Sequence, residues 1–86
     1  MHTDEYGITL SREVNISKKK VAEHRNNVRA FESKYAMAST LFLQRLAAGE
    51  LSDDNPEYAA WRDQCAALER WEQRFKEFDE LYSAWR

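Results

Sequence analysis

The sequence predicts an all-α fold: an antiparallel helical hairpin of two long helices joined by a short capped helix, with an extended arm at the N-terminus. Three observations carry this. Apolar residues recur every seven positions in two long segments, the pattern of helices that pack along a seam. The 86 residues include only two Gly and one Pro, too few turn residues for many short strands. Between the long segments lies a short apolar run with its own start and stop signals. Residues 1–16 are assigned to the arm and residues 17–86 to the hairpin domain.

The arm comes first. In ITLSREVNI, residues 8–16, Ile8, Leu10, Val14 and Ile16 fall on one side of a period-two pattern, with Arg12 interrupting it. This reads as a strand or an extended arm, with a helical extension as the alternative. A lone strand is unstable, so it needs another copy, a partner protein or the hairpin's own helices to pack on.

From Ser17 the period changes to seven. Val14, Val21, Val28 and Tyr35 form one row, and Ser17, His24, Phe31 and Ala38 the adjacent one. A helix over about 17–37 follows. Lys18, Lys19 and Lys20 at such a start oppose the helix macrodipole, which favours a start earlier in the chain. His24 lies in the seam with no second His or Cys at coordinating distance and reads as a packing residue.

The short run is ASTLFLQRLAAG. Ser39 is a good N-cap, Leu41, Phe42, Leu43 and Leu46 make an apolar face, and Gly49 is the expected left-handed stop. About three turns cannot stand alone. The loop ELSDDN then leads to Pro56, suited to the first helical position, with Asn55 as N-cap and Glu57 in the first turn. Asp53 and Asp54 lack the alternating ligands and central Gly of a calcium loop and read as capping and solubilising residues.

From Pro56 onward nothing breaks the helix. Trp61, Leu68, Phe75 and Tyr82 form one heptad row, and Gln64, Trp71, Phe78 and Trp85 another. Tyr58, Cys65 and Leu81 widen the stripe, as packing against more than one neighbour requires. On the outer face, Glu69 with Gln73 and Glu72 with Lys76 are spaced for local pairs worth tenths of a kcal/mol.

Composition narrows the function classes. A chain this short is one domain with a thin core, burying about 60–65% of its unfolded surface. Eleven aromatics, three of them Trp, are a heavy load for it, so some are expected to await a partner. A single cysteine, Cys65, makes no internal disulfide and has no second Cys at zinc-ligand spacing. No cofactor or metal is expected. The longest apolar stretch, Leu41 to Leu43, is far below a membrane span, and the N-terminal MHTDEYG lacks a basic or hydrophobic leader region, so a cytoplasmic protein is expected.

Catalysis finds no support. Cys65 has no histidine nearby in its own segment, no Gly-rich phosphate loop exists, and each carboxylate reads as a cap or solvated face. The chain is therefore expected not to be an enzyme. Residues 1–40 carry seven Lys/Arg and five Asp/Glu, net +2, while residues 41–86 carry six and ten, net −4. That asymmetry suits a hairpin. Lys18, Arg25 and Arg29 share one face that could meet phosphates or an acidic partner, but Glu23 and Glu32 interrupt the basic stretch and no aromatic interleaves with its basic residues. Nucleic acid is not the expected ligand.

The run Lys34-Tyr35-Ala36-Met37-Ala38-Ser39, with Phe42, Gly49-Glu50-Leu51, Asp53-Asp54 and the pair Tyr58 and Trp61, resembles a family of short helical prokaryotic proteins. Their core reads K-Y-G-M-S, then F, then G-E-L, acidic residues and an aromatic-x-x-W motif. The match spans residues 31–71 and departs at Ala36, where that family usually has Gly, and at the extra Ala38 before Ser39. Its members look like antitoxin-type partners encoded beside small toxins. The resemblance implies a non-catalytic protein that binds and neutralises a toxin, with Phe42, Tyr58, Trp61, Trp71, Phe75, Phe78 and Trp85 as contact residues. Two alternatives stay open. One is a ribbon-helix-helix DNA binder, with residues 8–16 of two chains as the ribbon, although its outward Glu13 suits a DNA groove poorly. The other is a homotypic coiled-coil subunit, a homo-oligomer whose seams pair between chains.

Overall fold

In the computed structural model, residues 3–85 are described, with side chains from residue 6. Three helices follow one another: α1 (Thr3–Tyr35), α2 (Ser39–Ala47) and α3 (Pro56–Trp85). At 1.5 Å per residue, α1 and α3 are about 50 and 45 Å long. The molecule measures 57 × 20 × 18 Å, so the long helices lie side by side and antiparallel, as the seams predict. One straight helix of this chain would approach about 130 Å.

The expected extended arm is corrected. Residues 3–16 are the first turns of α1, with no boundary at residue 17; residues 1–2 lie outside the described part. The physical reason is in the same residues. Leu10 and Val14 continue the seam backward in steps of four and three, giving 10, 14, 17, 21, 24, 28, 31 and 35. Leu10, Ser17, Val21 and Val28 are buried against α3, and Val14, His24, Phe31 and Tyr35 are half-buried. Only the helical reading buries Leu10 with Val21, and it turns Ile8 and Ile16 outward, 58% and 40% exposed. The early start also moves Lys18, Lys19 and Lys20 to the middle of the helix, away from the positive end of its dipole.

Both ends of the connection use left-handed residues. Gly49, at φ 77°, ends α2: its amide donates to the Leu46 carbonyl at 3.2 Å, and the Glu50 amide reaches back to the Arg45 carbonyl at 2.9 Å. This is a Schellman closure. At the end of α1 the same geometry falls on Ala36, at φ 50°, with the Met37 amide donating to the Glu32 carbonyl at 3.1 Å. Asn55 caps α3 as expected, its Oδ1 accepting from the Glu57 amide at 2.8 Å with Pro56 at the first helical position.

Ser39 departs from its expected role. Ala38 is the N-cap of α2, and Ser39 is the first helical residue. The Glu32 carboxylate, projecting from α1, accepts the Ser39 amide at 2.9 Å. That supplies an acceptor for an orphan donor and places negative charge at the positive end of α2. The Ser39 hydroxyl is thereby free to accept from the Trp61 indole at 2.9 Å.

Candidate docking surface

Sequence reasoning names seven apolar contact residues, and the fold divides them. Phe42 and Trp61 are fully buried, so they are not docking anchors in the folded chain. Their rings stack with centroids 3.8 Å apart and 1° between planes, while Phe31 and Tyr35 cover Trp61 at 5.8 and 5.6 Å. Burying one Trp is worth about 4–6 kcal/mol of transfer free energy before conformational entropy is counted. This cluster fastens α2 to the hairpin. Tyr58 is half-buried at its edge, 5.4 Å from Tyr35 and 5.5 Å from Phe42.

The other four lie along α3 and are half-buried. Trp71 and Phe78 are bridged by Arg74, whose guanidinium sits 5.5 Å and 5.4 Å from their ring centroids. Such cation–π contacts cover apolar faces without removing them from reach. Phe75 lies in a shallow groove with Val21, Ala22, Lys18 and Arg25. Trp85 closes the end that holds the chain termini, edge-on to Tyr6 at 6.4 Å and stacked with Tyr82 at 6.1 Å. Its ring lies so close over Gly7 that an added β-carbon would sit 2.1 Å from Trp85 Cη2.

The basic trio is also divided. Arg25 is committed to Glu72 across the seam at 2.6 Å, leaving Lys18 and Arg29 exposed beside it. Glu72 therefore reaches α1 instead of Lys76, and Gln73 bonds Glu77 at 3.2 Å in place of Glu69. For Glu72 an interhelical partner displaces the local one, because a hairpin brings opposite charges from its two halves together, whereas Gln73 takes a different local partner one turn on. His24 is a seam residue as expected: its Nδ1 lies 2.7 Å from Gln64 Oε1, which also accepts from Asn27 Nδ2 at 3.1 Å.

At the bend, Lys34 and Glu57 pair at 2.5 Å. The Lys34 hydrogen bond, followed by one from Tyr35, holds the Glu57 carboxyl below the ordinary value of 4.5. The bond to Glu57 in turn raises Lys34 above its ordinary value. Burial pushes the Cys65 thiol up, partly offset by a hydrogen bond with Ser39, which leaves it a protonated thiol at neutral pH. Among the described residues no group of three or more His, Cys, Asp and Glu could hold a metal ion, and no helix is long and apolar enough to cross a membrane.

What the sequence reading missed is the outer surface near the termini. Tyr6, Ile8, Ile16 and Leu81 are exposed there, and Leu41 and Leu43 are exposed on α2. The usable signal is the backward extension of the heptad through Val14 and Leu10, which leaves Ile8 and Ile16 off the seam. Ile8, Ile16, Tyr82 and Trp85 line a groove together with Arg12 and Lys19, which alternate with the two isoleucines along one ridge of α1. Comparison with protein-family models, curated proteins and solved structures finds no match for this chain.

Proposed function

We propose that this chain is a non-catalytic protein-binding module of the antitoxin type, which docks a small toxin encoded nearby and holds it inactive in the cytoplasm. The observation that carries the reading is the apolar surface left open after the core is formed. The core consumes Leu10, Val21, Val28, Phe42 and Trp61, yet Tyr6, Ile8, Ile16 and Leu81 near the termini, and Leu41 and Leu43 on α2, remain in the open. Large apolar side chains grouped on a small protein mark interaction sites. Trp85 and the Arg74-bridged pair of Trp71 and Phe78 add the aromatic and Arg chemistry favoured at binding hot spots.

The turn after α1 supports the antitoxin resemblance. Ala36, the position at which the similar motif usually has Gly, is a left-handed residue, the conformation for which Gly is the default. Two observations weigh against the alternatives. A ribbon needs residues 8–16 as a strand, and they are helix; a homotypic coiled coil needs a free seam, and each long helix spends its seam on the other.

Co-expression with the product of the adjacent gene tests the proposal. The expected result is one peak of defined stoichiometry in size-exclusion chromatography with light scattering, together with loss of the partner's toxicity. Separate migration of the two proteins at micromolar concentration overturns it.

A further inference from the structure

We propose that the groove near the chain termini is the docking site for an acidic amphipathic helix of about three turns. This deepens the protein-binding reading and rests on it. The groove runs along α1 from Ile8 to Lys19, about 16 Å at the helical rise. Its apolar lining comes from Ile8 and Ile16 on α1 and from Tyr82 and Trp85 on α3. The Trp85 wall exists because residue 7 is Gly: any side chain there meets the indole ring.

Charge sets the chemistry of the occupant. Arg12 and Lys19 stand seven residues apart, two turns on one face of α1, and both are exposed. Neither has an ion-pair partner among the described residues, whereas Arg25 is held by Glu72 and Lys20 by Glu23. The whole of α1 carries seven Lys/Arg and five Asp/Glu, a net positive charge. A partner helix with two carboxylates about two turns apart, flanking Leu or Ile at positions i, i+4 and i+7, complements both the cations and the apolar lining.

Helix is favoured over strand because no sheet edge exists among the described residues to pair with an extended peptide. A helix satisfies its own backbone and presents only side chains. Protein is favoured over nucleic acid because a phosphate backbone would leave Ile8 and Ile16, the exposed aliphatic residues of the groove, uncovered.

Two arms make the test. First, the full chain is titrated with a fluorescein-labelled 15-residue helical peptide carrying Leu at i, i+4, i+7 and i+11 and Glu at the flanking positions, and with its Lys-for-Glu counterpart. Saturable binding of the acidic peptide alone, weakened by salt, is expected. Ile16→Asp and the double change Arg12→Glu/Lys19→Glu each weaken it roughly tenfold or more, the scale of one lost anchor or charged rim. Lys18→Glu/Arg29→Glu, the same charge change outside the groove, leaves it within about twofold. Far-UV circular dichroism verifies that each variant keeps its helices, and Gly7→Ala, which displaces the Trp85 ring and with it the Tyr82 stacked on it, supplies an independent weakening.

Equal binding of both peptides, no binding, preference for a 20-base-pair DNA duplex or phosphatidylserine vesicles at these residues, or equal loss in the Lys18/Arg29 control overturns the proposal. Second, the same variants enter the co-expression assay. A complex that forms and ignores the groove variants removes the groove while leaving the protein-binding reading intact. Failure of the complex with retained acidic-peptide binding removes the toxin partner and leaves the groove.

Discussion

Ala36→Gly is expected to stabilise the protein, against the usual effect of introducing glycine. Ala36 is at φ 50°, in the left-handed region, and it is exposed, so the substitution changes backbone energy with little change in packing. A β-carbon in that conformation crowds the following carbonyl at a cost of about 1–2 kcal/mol. Glycine removes that cost and adds about 0.4–1 kcal/mol of unfolded-state freedom. The difference is a net gain of about 0.5–1 kcal/mol. For a chain of this size that corresponds to roughly 2–8 °C in melting temperature.

Thermal and urea unfolding followed by circular dichroism at 222 nm measure it, provided the transitions are two-state. Two controls bracket the result. Ala30→Gly, exposed inside α1, lowers stability by about 1 kcal/mol because glycine is a poor helix former. Gly49→Ala, at φ 77° with nothing within 4 Å of the new methyl, lowers it by roughly 1 kcal/mol through backbone strain alone. If Ala36→Gly falls in line with Ala30→Gly and lowers the midpoint, then residue 36 is not left-handed in solution and the Schellman closure at the end of α1 is wrong.

Three further outcomes follow from the core and the bend. Ser17 is fully buried and its hydroxyl has no hydrogen-bond partner among the described residues, so Ser17→Ala should raise the urea midpoint by the equivalent of about 1–2 kcal/mol; a loss would reveal a bond the fold does not contain. Phe42→Ala removes the ring stacked on Trp61 at a cost of about 3–5 kcal/mol, and hydrogen exchange should show the amides of α2 losing protection before those of α1 and α3. Equal loss along the whole chain would mean that α2 is part of the central cooperative unit. Glu57 has its folded pKa lowered, so its contribution is complete above the unfolded carboxyl value, about 4.3, and fades as pH falls through the folded one. Lys34, raised, contributes below its unfolded value and loses that contribution as pH rises through the folded one. A carboxyl NMR titration should place Glu57 below 4.5 and move it upward in Lys34→Ala; no movement would show that the pair does not form.

The helical hairpin, the three helices and two of the caps were legible because they depend on short spacings. Heptad rows name the apolar stripe of each helix, and Asn55-Pro56 and Gly49 act within one turn of their own positions. Two local readings failed for the same reason. Ile8 and Ile16 looked like one face of a strand, since residues 8–16 fit a period of two, although Val14 also opens the heptad row of Val21 and Leu10 stands seven residues before Ser17 in the adjacent row. Ser39 looked like a cap, since Ser is a good one; the competing partner, Trp61, is 22 positions away.

What this sequence determined by itself is which side of each helix is apolar and where the chain must turn, because helix periodicity and left-handed stops are properties of consecutive residues. Only the tertiary structure decided which aromatics are spent. Phe42 and Trp61 are sealed at the bend while Trp85 stands at a groove wall, although all three occur in similar amphipathic contexts. Burial belongs to a pair of facing surfaces, and a seam names one surface without its opposite. Placing Glu32 at the start of α2, Glu72 on Arg25 and Gly7 under an indole required knowing how far the two long helices slide along each other, which no local spacing encodes.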